Sequence, residues 1–191
     1  MSTEYSVGLM NQLGDALEGA GYTSEDVTQL RSSVSRLRAF KGVLAGTAQI
    51  VVVKYVIDLD PDPFCPKGWT VEEHREGGQL EWDPAKVQLY LSENQQNGKV
   101  IRGSQLREEL KDRLAYNANL LDYLLAHPEL IPDEWKSELV FFWGTIYRYP
   151  DGRLYVRYLG WHGGGRWRWL FHWLGSEFYG YGPAAVPASS S

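Results

Sequence analysis

Asp58, Asp60 and Asp62 stand at alternating positions where a β-branched run ends, and their carboxylates are the first groups in this chain that could do chemistry. Acids so spaced at a strand end can hold Mg²⁺ or Ca²⁺, and phosphoryl-transfer centres often begin this way. A calcium loop would want Gly at its sixth position and Glu at its twelfth, where this chain carries Pro63 and Trp69. Phosphoryl transfer would want a matching Lys and further acids, and none is clearly placed. A proline-rich turn carrying solvated acids accounts for the segment better.

The histidines His74, His127, His162 and His172 fall in no HExxH or related spacing. His127 suits a helix C-terminus, where its charge complements the dipole. His162 and His172 could share a hairpin face, but two histidines make an incomplete metal site. Cys65 is the only cysteine, so the chain alone forms neither a disulfide nor a cysteine-based zinc site. Gly163–Gly165 lacks the Lys and the following helix that a phosphate loop needs, and there is no G-x-S-x-G. These residues point away from an enzyme, and no metal or cofactor is expected. A metal-dependent enzyme built on Asp58, Asp60 and Asp62 stays as the alternative.

The strongest pattern is one of recognition. Residues 139–182 hold five of the eight Trp and no Lys, Gln or Met. Three alternating segments joined by Pro150-Asp151-Gly152 and Gly163–Gly165 read as an antiparallel meander. In the third, period-two alternation sends Trp167, Trp169, Phe171 and Trp173 one way and Arg166, Arg168, Leu170 and His172 the other. One aromatic side chain buries about 150–250 Å², and four exposed together would exceed the apolar patch a monomer tolerates. The Trp face is therefore expected inward. The Arg face is expected outward, where cationic, apolar and aromatic groups on a rigid strand suit a protein or glycan ligand. Arg and Trp interleaved also suit single-stranded nucleic acid if the rings are open. That is the weakest reading for a chain of net charge -5 and pI near 5.4.

The elements that must position this surface are also legible. Val7, Met10, Leu13 and Leu17 recur at helical spacing up to Gly19–Gly21. Thr23 and Asp26 form a capping box before Val27, Leu30, Val34, Leu37 and Leu44. A helical hairpin over 1–48 follows, an arm that covers the rest of the chain or binds a partner. Gln49–Leu59 reads as a buried strand, with further strands over 69–73, 79–82 and 87–91. Asn97-Gly98 signals a hairpin into 99–102. Ser104 caps one helix, and Asn117 or Asn119 caps a second that stops before Pro128. Pro132–Trp135 adds a turn, with Pro at its first position. No secretory signal or membrane span is visible, which fits a cytoplasmic protein without membrane contact.

The strings LDYLLAHPELIPDEWK, FFWGTIYR, VRYLGWHGGGRWRW and PAAV resemble a family of small, uncharacterised bacterial proteins from candidate phyla. That family is similar in turn to the variable proteins of diversity-generating retroelements. The resemblance covers most of the chain. It implies a C-type lectin-like fold in which Trp143, Trp161, Trp167, Trp169, Trp173 and Pro183 act as scaffold. It also implies a diversified ligand surface made of His162, Arg166, Arg168, Leu170, Phe171, His172, Gly175, Ser176, Tyr179 and Tyr181. In such systems copying errors at adenines in Asn-type codons never yield Trp, Met, Lys, Gln or Glu, and Arg168, Leu170, Phe171, His172, Gly175, Ser176, Tyr179, Gly180 and Tyr181 obey that limit. The chain departs from these proteins in ending GYGPAAVPASSS where they often carry a Gly-Phe-Arg-like strand. The expectation is an α+β protein: a helical hairpin over 1–48, a lectin-like ligand-binding domain over 49–186 and a disordered tail over 187–191.

Overall fold

A computed structural model describes residues 5–49 and 53–188, without the side chain of Arg36. The chain divides between Val53 and Lys54 into two units. The first holds α1 (Val7–Gly19), α2 (Ser24–Ser32) and α3 (Val34–Leu44). Ser6 caps α1 by accepting from the Leu9 N–H, and Thr23 and Asp26 cap α2 reciprocally, as the sequence predicts. The expected hairpin is corrected to three helices. Ser33 leaves the helical region at φ -125° and ψ 93°. Here the Ser32 hydroxyl donates to the Gln29 carbonyl and the Ser33 and Ser35 hydroxyls pair, so side chains compete with the backbone ladder. None of the three helices carries a buried residue among those described.

The second unit is a mixed α+β domain. Its strands are β1 (Val56–Asp58), β2 (Thr70–His74), β3 (Gln79–Glu81), β4 (Val87–Tyr90), β5 (Ile101–Arg102), β6 (Leu139–Arg148), β7 (Leu154–His162), β8 (Arg166–Trp173), β9 (Glu177–Phe178) and β10 (Ala184–Pro187). Two α-helices, α4 (Gly103–Glu109) and α5 (Ala118–Ala126), lie between β5 and β6. The main sheet runs β4-β10-β6-β7-β8, with β2 on the far half of β6. Every neighbour pair is antiparallel except β10 with β6.

Strand β6 explains the layering. Its run from Val140 to Tyr147 is buried without alternation, the mark of a strand covered on both faces. On one face Val140, Phe142 and Leu159 pack with Leu120, Leu121 and Leu124 of α5 and with Trp135. On the other, Phe141, Trp143 and Ile146 pack with Leu106 and Leu110 of α4 and with Leu174 and Phe178. Polar groups fasten these layers. Asn117, fully buried, accepts from the Asn119 N–H at the start of α5 and donates to the carbonyls of Leu59 and Arg75. The Thr145 hydroxyl accepts from the Ala118 N–H and pairs with His74 Nδ1.

Several expectations need correction. The strand expected over 49–59 is only Val56–Asp58, with residues 50–52 outside those described, and it pairs with β3 apart from the main sheet. Asn97 and Gly98 do turn with positive φ, but β5 pairs with β9 and not with β4, so no hairpin forms there. Helix α4 starts at Gly103 with no side-chain cap, so Ser104 lies inside it. Pro132 is the cap of the 3-10 turn Asp133–Ser137 and not its first residue. The start of the expected tail is also corrected: Pro187 ends β10, and the Ala188 N–H donates to the Lys86 carbonyl, while residues 189–191 lie outside those described. Ala184, Ala185 and Val186 are small enough to pass through the core, where they are buried.

The tightest fastening is Arg157. Its guanidinium, on β7, is fully buried and donates to both carboxylate oxygens of Asp122 on α5, at 2.9 and 2.6 Å. The Trp169 ring lies 4.2 Å away on one side and Phe64 at 5.6 Å. Burial alone would disfavour the charge, and the bonds to Asp122 more than restore it. A second knot joins β2 to α4: Glu73 accepts from Arg75 at 2.7 Å and Arg107 at 2.8 Å, and Arg75 reaches the carbonyls of Leu110 and Arg113. Burial raises the Glu73 carboxyl, and the two arginines outweigh it to hold its pKa below the ordinary range.

Two predictions follow from these knots. Asp122→Ala leaves a buried cation without its counter-charge and should cost about 2–4 kcal/mol in urea unfolding, because Asp122 itself touches solvent and the full penalty of a sealed pair is not incurred. Glu73 is depressed in the folded state, so its contribution is complete above the ordinary carboxylate range and fades as pH falls through its folded pKa. Glu73→Gln should therefore lower the melting temperature at neutral pH and flatten its fall below about pH 4.

Candidate recognition surface

Strand β8 is one of the two end strands of the main sheet, opposite β4, and its burial alternates as the sequence predicts over most of its length. Trp167 and Trp169 are half-buried against the α5 layer, and Phe171 stacks on Trp69 with centroids 4.4 Å apart. Arg166, Arg168 and Leu170 project outward. Five other arginines of this unit are ion-paired: Arg75, Arg107, Arg148, Arg153 and Arg157. Arg166 and Arg168 have no carboxylate partner among the described residues. A row of uncompensated guanidiniums on a rigid strand can take acceptor groups of a ligand, and it also discourages strand addition at the open edge.

The outward row continues across the sheet. In the β7–β8 register Leu170 faces Tyr158 and Arg168 faces Gly160. Gly160 is buried, and Leu139 occupies the space over it, where a Cβ would lie 3.0 Å from that side chain. Burial raises the Tyr158 phenol pKa, and the neighbouring Tyr181 adds to it. Tyr181 then stacks in parallel on Tyr179, with centroids 5.6 Å apart. The two tyrosines wall a groove of about 610 Å³ with Leu91, Gln96, Asn97 and Lys99. Buried Gln95 positions them by donating to the carbonyls of Tyr179 and Gly182, while its own oxygen accepts from the Ser92 N–H. On the indole side, a hollow of about 360 Å³ lies among Trp161, Trp167, Leu125, Lys136 and Arg166.

The expected site residues therefore separate. Arg166, Arg168, Leu170, Tyr179 and Tyr181 are exposed. His162 is half-buried at the end of β7, with a buried Nε2 that lacks a hydrogen-bond partner. Phe171 is covered by Trp69 and does not face a ligand. His172 is corrected from the outward row to the core edge: its ring lies 4.5 Å from Phe178 and 5.8 Å from Phe141, and Nε2 pairs with the Glu177 carbonyl. A side chain at Gly175 would run into the Trp173 ring and displace it. Ser176 is half-buried, and its carbonyl accepts from the Gly103 N–H. Among the scaffold residues, Trp143 is buried, Trp161 packs edge-on to Trp167, and Trp173 is corrected to 40% exposed beneath Arg153.

Sequence reading missed Tyr158, Gly160, Gln95 and Lys99. Tyr158 and Gly160 share the parity of His162 on β7 and could have been found by pairing the two strands. Gln95 leaves no such signal. The alternative acidic centre does not assemble: Asp58 accepts from the Asp60 N–H, and Asp60 accepts from the N–H groups of Gly77 and Gly78. Among the described residues no cluster of three or more His, Cys, Asp or Glu could hold a metal ion. No described helix is long and apolar enough to cross a membrane.

The divided roles of one strand give a direct test. Arg168→Ala should leave unfolding free energy within about 0.5 kcal/mol of the parent, whereas His172→Ala should cost about 1–3 kcal/mol by emptying the space beside Phe178. Equal losses in thermal and urea unfolding would contradict that division. Compared with protein-family models, with curated proteins and with solved structures, the chain matches none.

Proposed function

We propose that this chain is a non-enzymatic binding protein whose ligand surface is the row Arg166, Arg168 and Leu170 of β8 with Tyr158, Tyr179 and Tyr181 beside it. The observation that carries this reading is the pairing of uncompensated arginines with stacked, solvent-facing tyrosines on a backbone fixed from behind by Trp167 and Trp169. Tyr and Arg dominate binding hot spots because they combine a large contact area with directed hydrogen bonds. A protein or glycan ligand suits such a surface; single-stranded nucleic acid would want open indole faces, and here the rings are half-covered.

A C-type lectin-like architecture is part of the proposal. Its support is the antiparallel pairing of β4 with β10 around two helices and a three-stranded meander. Diversification of this surface in the manner of a retroelement variable protein is supported by the separation of a packed indole layer from exchangeable outward positions. The positions suited to exchange narrow to Arg166, Arg168, Leu170, Tyr179 and Tyr181, without Gly175 and His172.

The test is binding by the full chain to a glycan array and to a displayed peptide library, repeated with Arg166→Ala, Arg168→Ala and Tyr181→Ala combined. A ligand found with the parent should lose at least about tenfold in affinity, or about 1.4 kcal/mol, while the melting temperature holds. Retained affinity would move the site elsewhere. The diversification half is tested separately in the genome, where a reverse transcriptase gene and a near-copy of the coding segment differing only at adenines should lie nearby.

A further inference from the structure

The helices of the first unit bury none of their described residues, yet their sequence is specific about what they fit. Val27, Leu30, Val34, Leu37 and Leu44 recur at alternating steps of three and four, with Lys41 at the one remaining position of the series. Read as heptads, Val27, Val34 and Lys41 occupy position a, and Leu30, Leu37 and Leu44 occupy position d. A β-branched residue at a with Leu at d favours two parallel strands over three or four, and a single polar residue at a fixes register at some cost in stability. The flanks agree. Asp26 stands at position g and Arg31 five residues later at e, the two positions that meet across the seam of a parallel, in-register pair. The Thr23 hydroxyl and N–H hold the Asp26 carboxyl below the ordinary carboxylate range, so it is charged at neutral pH.

The single chain breaks this stripe at Ser33, but between Ser24 and Lys41 there is neither Gly nor Pro to require a break. Val27, Val34, Leu37 and Leu44 are exposed, and Leu30 is half-buried. We infer that residues 24–44 of two copies of this chain run as continuous helices and pair in parallel as a two-stranded coiled coil. The occupant is a second copy because the seam is self-complementary: each chain brings both the acid at g and the base at e, and both the branched and the unbranched layers. As one helix the segment is roughly 30 Å long. Helices this short are marginal alone, so the pairing is reversible and depends on concentration. Each dimer carries two binding units, and a repetitive target is then held by both at once.

Sedimentation equilibrium of the full chain over micromolar to sub-millimolar concentrations tests this. The expected result is a reversible monomer–dimer equilibrium that is lost in Leu30→Glu/Leu37→Glu, with the near-ultraviolet dichroism of the aromatic unit unchanged. Orientation is read with Cys65 replaced by Ser: Leu37→Cys should form an interchain disulfide on mild oxidation, and Ser35→Cys, on the outer face, should not. A chain monomeric throughout, a dimer indifferent to the two glutamates, or equal disulfide formation at both cysteine positions would overturn the inference.

Discussion

The Arg157 guanidinium is the group around which the second unit is organised. It is an unavoidable positive charge inside an apolar layer, and three elements must stay in place to make that tolerable: α5 for the carboxylate of Asp122, β8 for the Trp169 ring, and the loop bearing Phe64. Tyr147 lies close enough to feel the charge, although its hydroxyl and Arg157 Nε fall short of hydrogen-bond geometry. A pair of this kind adds little net stability against a well-packed apolar alternative, but it strongly disfavours any arrangement that separates its parts. It therefore fixes where α5 sits on the sheet and which way the ring of Trp169 turns. The outward direction of Arg168 and Leu170 follows from that, because neighbouring residues on a strand face opposite sides.

The exposed groups are held by buried polar ones that never reach a ligand. Gln95 grips the carbonyls of Tyr179 and Gly182, and the Leu139 and Phe141 N–H groups hold those of Tyr181 and Pro183. The tyrosine pair is thereby tied at four backbone points while its rings stay in solvent. Order of this kind lowers the entropy lost on binding, since the loop does not have to be immobilised by its ligand.

Much of this was legible in the sequence, and the failures have physical causes. The meander was readable because Pro150-Asp151-Gly152 and Gly163–Gly165 punctuate three β-rich runs, and Gly152 and Gly165 do take positive φ in their turns; the first run, β6, proved buried on both faces and not alternating. Helix α5 was readable from Asn117 and the leucine run before Pro128. The start of the tail was misread because Pro187-Ala188, ahead of three serines, has the composition of a frayed end; only tertiary context makes Pro187 the last residue of a strand threaded through a core. Period-two logic placed Trp173 inward and His172 outward; the alternation itself persists to the end of β8, but there Phe141 and Phe178 cover the His172 face while Trp173 is left open beneath Arg153. Gln95 was invisible because a buried amide with three well-placed partners looks, in sequence, like any surface Gln in a polar loop.

The position of β10 has a consequence for the integrity of the polypeptide. This strand is encoded after the Arg and Tyr segment but lies between β4 and β6, and it supplies Ala184, Ala185 and Val186 to both layers of the core. Any insertion or deletion that shifts the reading frame between residues 166 and 181 scrambles or truncates it, and the sheet is left with a gap in its middle instead of a shortened rim. Substitutions at the outward positions leave that strand intact. An unbroken frame through the Arg and Tyr segment is thus a condition for closing the sheet, because the strand at its middle is read last.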